Sequence, residues 1–237
     1  MSAGGSIGMV LDRALSPEVL DVALRVATEH RNDPAVRQLL TIALRDHVTR
    51  QEAENKTRKI LTRVWVAPPA ESRPMIEWAI VHQDEFVDRS ALHYGALLAT
   101  FPFFGSIASA VGRQIRIDGG ADRASVRDHA RTTFGEREFI DAGASKCLRT
   151  LRLLGMLDGP SNGPYGIATP GQVPSALTSW YLHALMLTRQ VESVRVGELS
   201  RAPELAFVSL DPAASSYPLL EFHAENGRTV ATAGRRS

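Results

Sequence analysis

Cysteine is almost absent from this chain: Cys147 stands alone among 237 residues. No intrachain disulfide can form, which suits a reducing, cytoplasmic setting. Lysine is nearly as scarce, with Lys56, Lys59 and Lys146 the only ones among 27 basic residues. Against them stand 26 acidic residues, leaving a formal net charge of +1, so attraction to any polyanion has to come from local patches rather than the whole-molecule field. The seven histidines, His30, His47, His82, His93, His129, His183 and His223, never fall three or four apart, the spacing by which one helix face holds a metal. A glycine-rich phosphate loop is missing too, because residues 159–166 have Gly, Pro and Ser without the Lys-Ser/Thr that such a loop needs. The carboxylates of Asp84 and Glu85 and the Asp128-His129 pair have no second ligand cluster or nucleophile beside them. These absences predict a non-enzymatic chain with no catalytic residues, no metal and no cofactor; an enzyme would need a constellation assembled only in three dimensions. Residues 1–10 are rich in Gly and Ser without a basic start or a long apolar segment, so no secretory signal is expected.

The uncharged run from Ala91 to Gly112 is long enough by itself to cross a bilayer, which takes about 20 residues. Pro102 interrupts it, while His93, Tyr94, Thr100, Ser106 and Ser109 dilute it. The spacing predicts two buried helices meeting at Thr100-Phe101-Pro102, and no membrane insertion.

What the chain does have is a succession of three helices and a hairpin between about Phe103 and Thr169. Phe104, Ile107, Ala108, Val111 and Ile115 recur at helical spacing over Phe103–Ile117. Asp118-Gly119-Gly120 ends that helix, and Asp122 is placed to cap a second through Phe134. A third, about Glu136 to Leu154, turns Ile140, Ala144, Cys147, Leu148, Leu151 and Leu154 inward, and Gly155 stops it. Met156-Leu157 and Tyr165–Thr169 are expected to pair across a loop of Asp158, Gly159, Pro160, Ser161, Asn162, Gly163 and Pro164. This is the order of a winged helix-turn-helix. The buried position expected for Cys147 makes it a structural thiol and not a nucleophile.

The outer face of the third helix carries Glu138, Asp141, Ser145, Arg149 and Arg152, with Lys146 beside them. A helix of this kind fits a DNA major groove, where Arg and Lys hold phosphates or guanine edges. Ser145, Lys146, Arg149 and Arg152 are the residues expected at the groove; Arg137, Arg127, Arg131 and Asn162 are expected to fix the phosphate backbone. Exposed helices also carry cations for solubility, and here acids at the first turns and cations at the last complement the helix dipole. The charge pattern alone does not separate the two readings, and Glu138 and Asp141 would repel phosphate.

The pattern predicts a mainly α protein in three parts: a helical N-terminal region (1–90), the winged helix-turn-helix (91–170), and a C-terminal helical segment with a β-hairpin (171–237). Ser16-Pro17-Glu18 starts one helix and Asn32-Asp33-Pro34 another. Residues 49–65 form a second basic patch with Arg50, Lys56, Arg58, Lys59 and Arg63, readable as a phosphate or partner surface, or as a solvated face paired through Glu52–Lys56 and Glu54–Arg58. Met75–Phe86 is a short helix, and Ser175–Gln190 is a further helix with Trp180 and Tyr181 in its apolar stripe. Asn226-Gly227, between Leu219–Glu225 and Arg228–Thr232, marks a two-residue hairpin turn.

Three passages carry a family resemblance: the polar run Glu54–Arg63, the uncharged Ala96–Phe104 with the helix after it, and Lys146–Leu157. Over about Glu54 to Gly159 the chain resembles the BrxA family, accessory proteins of bacterial BREX phage-defence systems. The resemblance implies an all-helical protein with a winged-helix module that binds double-stranded DNA without chemistry of its own, acting with other defence-system proteins. Two other functions fit the same pattern: a protein–protein assembly module, and a ligand-responsive transcription repressor that dimerises through Ser175–Gln190.

Overall fold

The computed structural model describes residues 10–48, 51–86, 89–160, 163–168, 171–211 and 217–234. Helix α1 (Pro17–Glu29) begins at the expected Ser-Pro pair and buries Leu20, Val22, Ala23, Leu24, Val26 and Ala27. Asp33 Oδ1 accepts the Ala35 backbone N–H at 2.7 Å ahead of α2 (Val36–Leu44). In α3 (Gln51–Leu61), Lys56 donates to Glu52 at 2.6 Å. The expected Glu54–Arg58 pair does not form: Arg58 reaches Asn55 Oδ1 at 3.4 Å instead, since an exposed ion pair gains little over hydration. The helix runs on through a π-helical turn (Thr62–Val66) that turns Val64 and Trp65 into the core. Helix α4 (Arg73–Val81) follows a proline-containing connector, and a 3₁₀ turn spans Gln83–Glu85.

Helices α5 (Arg89–Thr100) and α6 (Pro102–Asp118) are bent by 116° at the break before Pro102. Proline there removes an N–H and clashes with a continued helix, so the uncharged run folds back on itself. Neither helix is by itself long and apolar enough to cross a membrane, and residues 91–100 are buried throughout.

Asp122 Oδ1 accepts the Ser125 N–H at 2.9 Å and caps α7 (Arg123–Phe134). Helix α8 spans Glu138–Leu153. It begins two residues later than its pattern predicts because Gly135 has φ +91° and Arg137 is extended. Strands β1 (Leu157–Asp158) and β2 (Gly166–Ile167) pair antiparallel, Leu157 opposite Ile167. β1 is shifted by one residue from the expected Met156-Leu157, and β2 takes only two residues of the expected Tyr165–Thr169, of which Thr169 lies outside the described residues. Ala121, between α6 and α7, bridges to Tyr165 through N–O distances of 2.9 and 2.7 Å, so the hairpin is fastened to the start of α7.

Strand β3 (Gly171–Gln172) and a 3₁₀ turn (Ser175–Leu177) lead into α9 (Thr178–Arg189). Trp180 and Tyr181 of α9 are fully buried: Trp180 Nε1 donates to the Met75 carbonyl at 3.2 Å and the Tyr181 hydroxyl to that of Ala91 at 2.5 Å. Beyond α9 come β4 (Ser193–Arg195), 3₁₀ turns over Val196–Arg201 and Pro203–Leu205, β5 (Val208–Ser209), β6 (Leu220–Glu225) and β7 (Arg228–Ala233). β5 pairs parallel with β3, and β4-β7-β6 form an antiparallel sheet. Asn226 and Gly227 both have positive φ, +49° and +71°, as a type I′ turn requires.

One apolar cluster takes in Leu20, Tyr94, Ile140, Trp180 and Ala231, running through all three sequence regions. The C-terminal region approaches α6 closely. A Cβ on Gly112 would stand 2.1 Å from the Pro203 carbonyl oxygen, and the Arg116 guanidinium donates to the carbonyls of Ser200, Arg201 and Ala202.

Candidate nucleic-acid interface

The first turn of α7, the later turns of α8 and the β1–β2 hairpin enclose an open groove of about 620 Å³. Among the described residues, four cations line it, Arg123, Lys146, Arg149 and Arg152, together with Ser145 and Tyr165, and Asp158 is the only carboxylate on its wall. The amphipathic register of α8 explains this. Ile140, Ala144, Cys147, Leu148 and Leu151 face the core, and the residues between them are left to the groove.

The cations differ in what already holds them. Among the described residues, Lys146 and Arg149 have no ion-pair partner, and Arg149 is exposed. Arg123 Nη2 donates to Ser145 Oγ at 3.1 Å, and the Ser145 hydroxyl donates to the Asp141 carbonyl one turn back at 2.9 Å. Arg152 Nη2 donates to the Gly159 carbonyl at 3.2 Å, so this side chain ties α8 to the hairpin. A Cβ on Gly159, where φ is +106°, would stand 2.5 Å from the Pro164 carbonyl oxygen; only glycine allows this turn without strain.

The residues expected on the phosphate backbone are placed differently. Arg127 Nη2 donates to Asp141 Oδ2 at 2.6 Å, and Arg131 Nε to Asp141 Oδ1 at 2.8 Å, with Arg131 Nη2 also on Oδ2. Arg131 further pairs with Asp128 at 3.0 Å. Bonds from Arg131 and then Arg127 hold the Asp141 carboxyl down at about 2. Asp141 is thus matched within the protein, and so are these two arginines. Arg137 lies apart from the groove with its guanidinium 5.9 Å from the Phe139 ring centroid. Asn162 lies outside the described residues.

Spacing along the chain did not point to Arg123. It sits just after a capping residue, and only the packing of α7 across α8 brings it to Ser145. The α3 patch needs a correction at Arg63, which turns inward: Nε donates to the Thr100 carbonyl at 3.1 Å, the guanidinium lies over Phe101, and burial lowers its pKa. Lys56 and Lys59 remain exposed.

Burial pushes the Cys147 thiol well above the usual thiol range, leaving it a poor nucleophile. Among the described residues no group of three or more His, Cys, Asp or Glu is placed to hold a metal ion. Comparison with protein-family models, with curated proteins and with solved structures returns no match for this chain.

Proposed function

We propose that this is a cytoplasmic, non-enzymatic protein that binds double-stranded DNA through a winged helix over residues 103–169, as an accessory component of a BREX-like phage-defence system. The observation that carries the DNA reading is the groove between α8 and the hairpin, where Lys146 and Arg149 stand beside Arg123 and Arg152 without ion-pair partners among the described residues. Unpaired cations on one helix face are what a phosphate backbone exchanges for its counterions. The Ala121–Tyr165 bridge supports the winged-helix reading, because it fastens the hairpin against the three-helix unit at the side of α8 that the groove occupies. The defence setting rests on the resemblance over Glu54–Gly159, with other defence-system proteins as partners.

In this reading Arg149 reaches base edges, Lys146 and Arg123 contact phosphates, and Arg152 keeps the hairpin at the groove mouth. The test is the affinity of the whole chain for a random-sequence duplex, by fluorescence anisotropy across a salt series. Binding that weakens steeply with salt, and that falls in Lys146→Ala/Arg149→Ala, supports the reading. No shift at micromolar protein would sink it and favour a protein-assembly role for the same face.

A further inference from the structure

One carboxylate on α8 engages two arginines on α7. Asp141 receives Arg127 at 2.6 Å and Arg131 at 2.8 Å. This clamp sits at the end of the basic track. Arg127 and Asp141 border a shallow depression that shares Arg123, Ser145 and Lys146 with the groove. Guanidinium forks bond carboxylate and phosphate with the same geometry, so each can displace the other.

We propose that Asp141 is a positioning residue of the DNA interface: it holds Arg127 and Arg131 away from phosphate and so sets how many cations the α7–α8 face offers to a duplex. This rests on the DNA-binding reading above. A carboxylate so placed limits sequence-independent affinity, which grows with every phosphate neutralised, and leaves the groove cations Lys146 and Arg149 to dominate. Arg131 keeps Asp128 as a second partner at 3.0 Å, so Arg127 is the side chain that Asp141 alone restrains among the described residues.

Asp141→Asn preserves size and an acceptor oxygen while removing the charge. Glu138 supplies the control. It is an exposed carboxylate near the start of the same helix with no ion-pair partner among the described residues, so Glu138→Gln deletes the same charge and frees no arginine. Anisotropy with a random duplex over a salt series would compare the whole wild-type chain with D141N, E138Q, R127Q and D141N/R127Q. The expected result is tighter binding by D141N, with a log–log salt slope steeper by about one to two, near 0.9 for each phosphate gained. E138Q keeps the wild-type slope, and R127Q in the D141N background removes most of the gain. A D141N slope equal to wild type, or a gain matched by E138Q, overturns the inference while leaving DNA binding intact. Should D141N lose its cooperative thermal transition, R127Q alone decides: a restrained Arg127 leaves the wild-type slope unchanged, and a reduced slope overturns the inference. A wild-type chain without duplex binding removes the DNA reading itself, and the inference with it.

Discussion

Gly95 lies against the indole of Trp180, so close that a Cβ on the glycine would stand 2.1 Å from Trp180 Cζ3 and 2.4 Å from Cη2. The contact lets α5 and α9 approach one another, and it is reinforced by the Thr188 hydroxyl donating to the Leu98 carbonyl at 2.9 Å. Glycine in mid-helix costs about 1 kcal/mol relative to alanine, a cost this packing offsets.

Gly95→Ala is therefore expected to destabilise despite its better helix propensity, because a rigid, fully buried ring has nowhere to go. Overpacking of this kind costs about 1–3 kcal/mol. Chemical denaturation followed by tryptophan fluorescence reads it directly, and an unchanged or raised midpoint would contradict the contact.

Lys146→Ala/Arg149→Ala should weaken duplex binding and flatten its salt dependence by roughly one phosphate contact's worth of slope, the contact assigned to Lys146. Fold stability should hardly move, since neither side chain has an ion-pair partner among the described residues. Loss of affinity with an unchanged slope would mean that Lys146 does not meet a phosphate.

Arg152→Ala acts by another route. Removing its bond to the Gly159 carbonyl should speed amide hydrogen exchange in β1 and β2 and lower affinity through a loosened hairpin. Arg149→Ala should leave that exchange unchanged, and equal exchange in the two variants would refute the division of roles.

His183 is buried with Nδ1 3.2 Å from the Tyr217 hydroxyl, and burial lowers its pKa from 6.5 to about 4. A folded-state pKa below the unfolded one favours the neutral imidazole in the fold. The stability it contributes is complete above pH 6.5 and is lost as pH falls toward 4. Thermal melts between pH 7 and 4 should show this decline, and His183→Asn, which keeps an acceptor near the Nδ1 position, should flatten it across that window. A variant as acid-sensitive as wild type would place the decline elsewhere.

The helices of this protein are legible in the sequence because burial is periodic. Phe104, Ile107, Ala108 and Val111 announce α6, and Asn226-Gly227 announces the last turn, since its backbone demands positive φ at both residues. The later turns of α8 are legible for the same reason, and the same spacing sets Ser145, Lys146, Arg149 and Arg152 together on one face. What spacing does not carry is the partner across a helix pair. Asp141 reads as a repulsive charge in the chain, yet it is neutralised by Arg127 and Arg131 from fourteen and ten positions away. Arg63 reads as exposed, yet it lies over Phe101, beside which it is brought by the packing of the π-helical turn on the end of α5. Both outcomes depend on how two helices pack, and neither leaves a local pattern.

Gly112 and Arg116 bear on modularity. The bare backbone of Gly112 receives the Pro203 carbonyl, and the Arg116 guanidinium holds three successive carbonyls from Ser200 to Ala202. The three helices and hairpin around the groove are therefore not a cassette that recombination could lift out and graft elsewhere. A transplanted 91–170 segment would carry an open seam along α6 where the C-terminal turns now sit, so the groove and those turns are built as one unit.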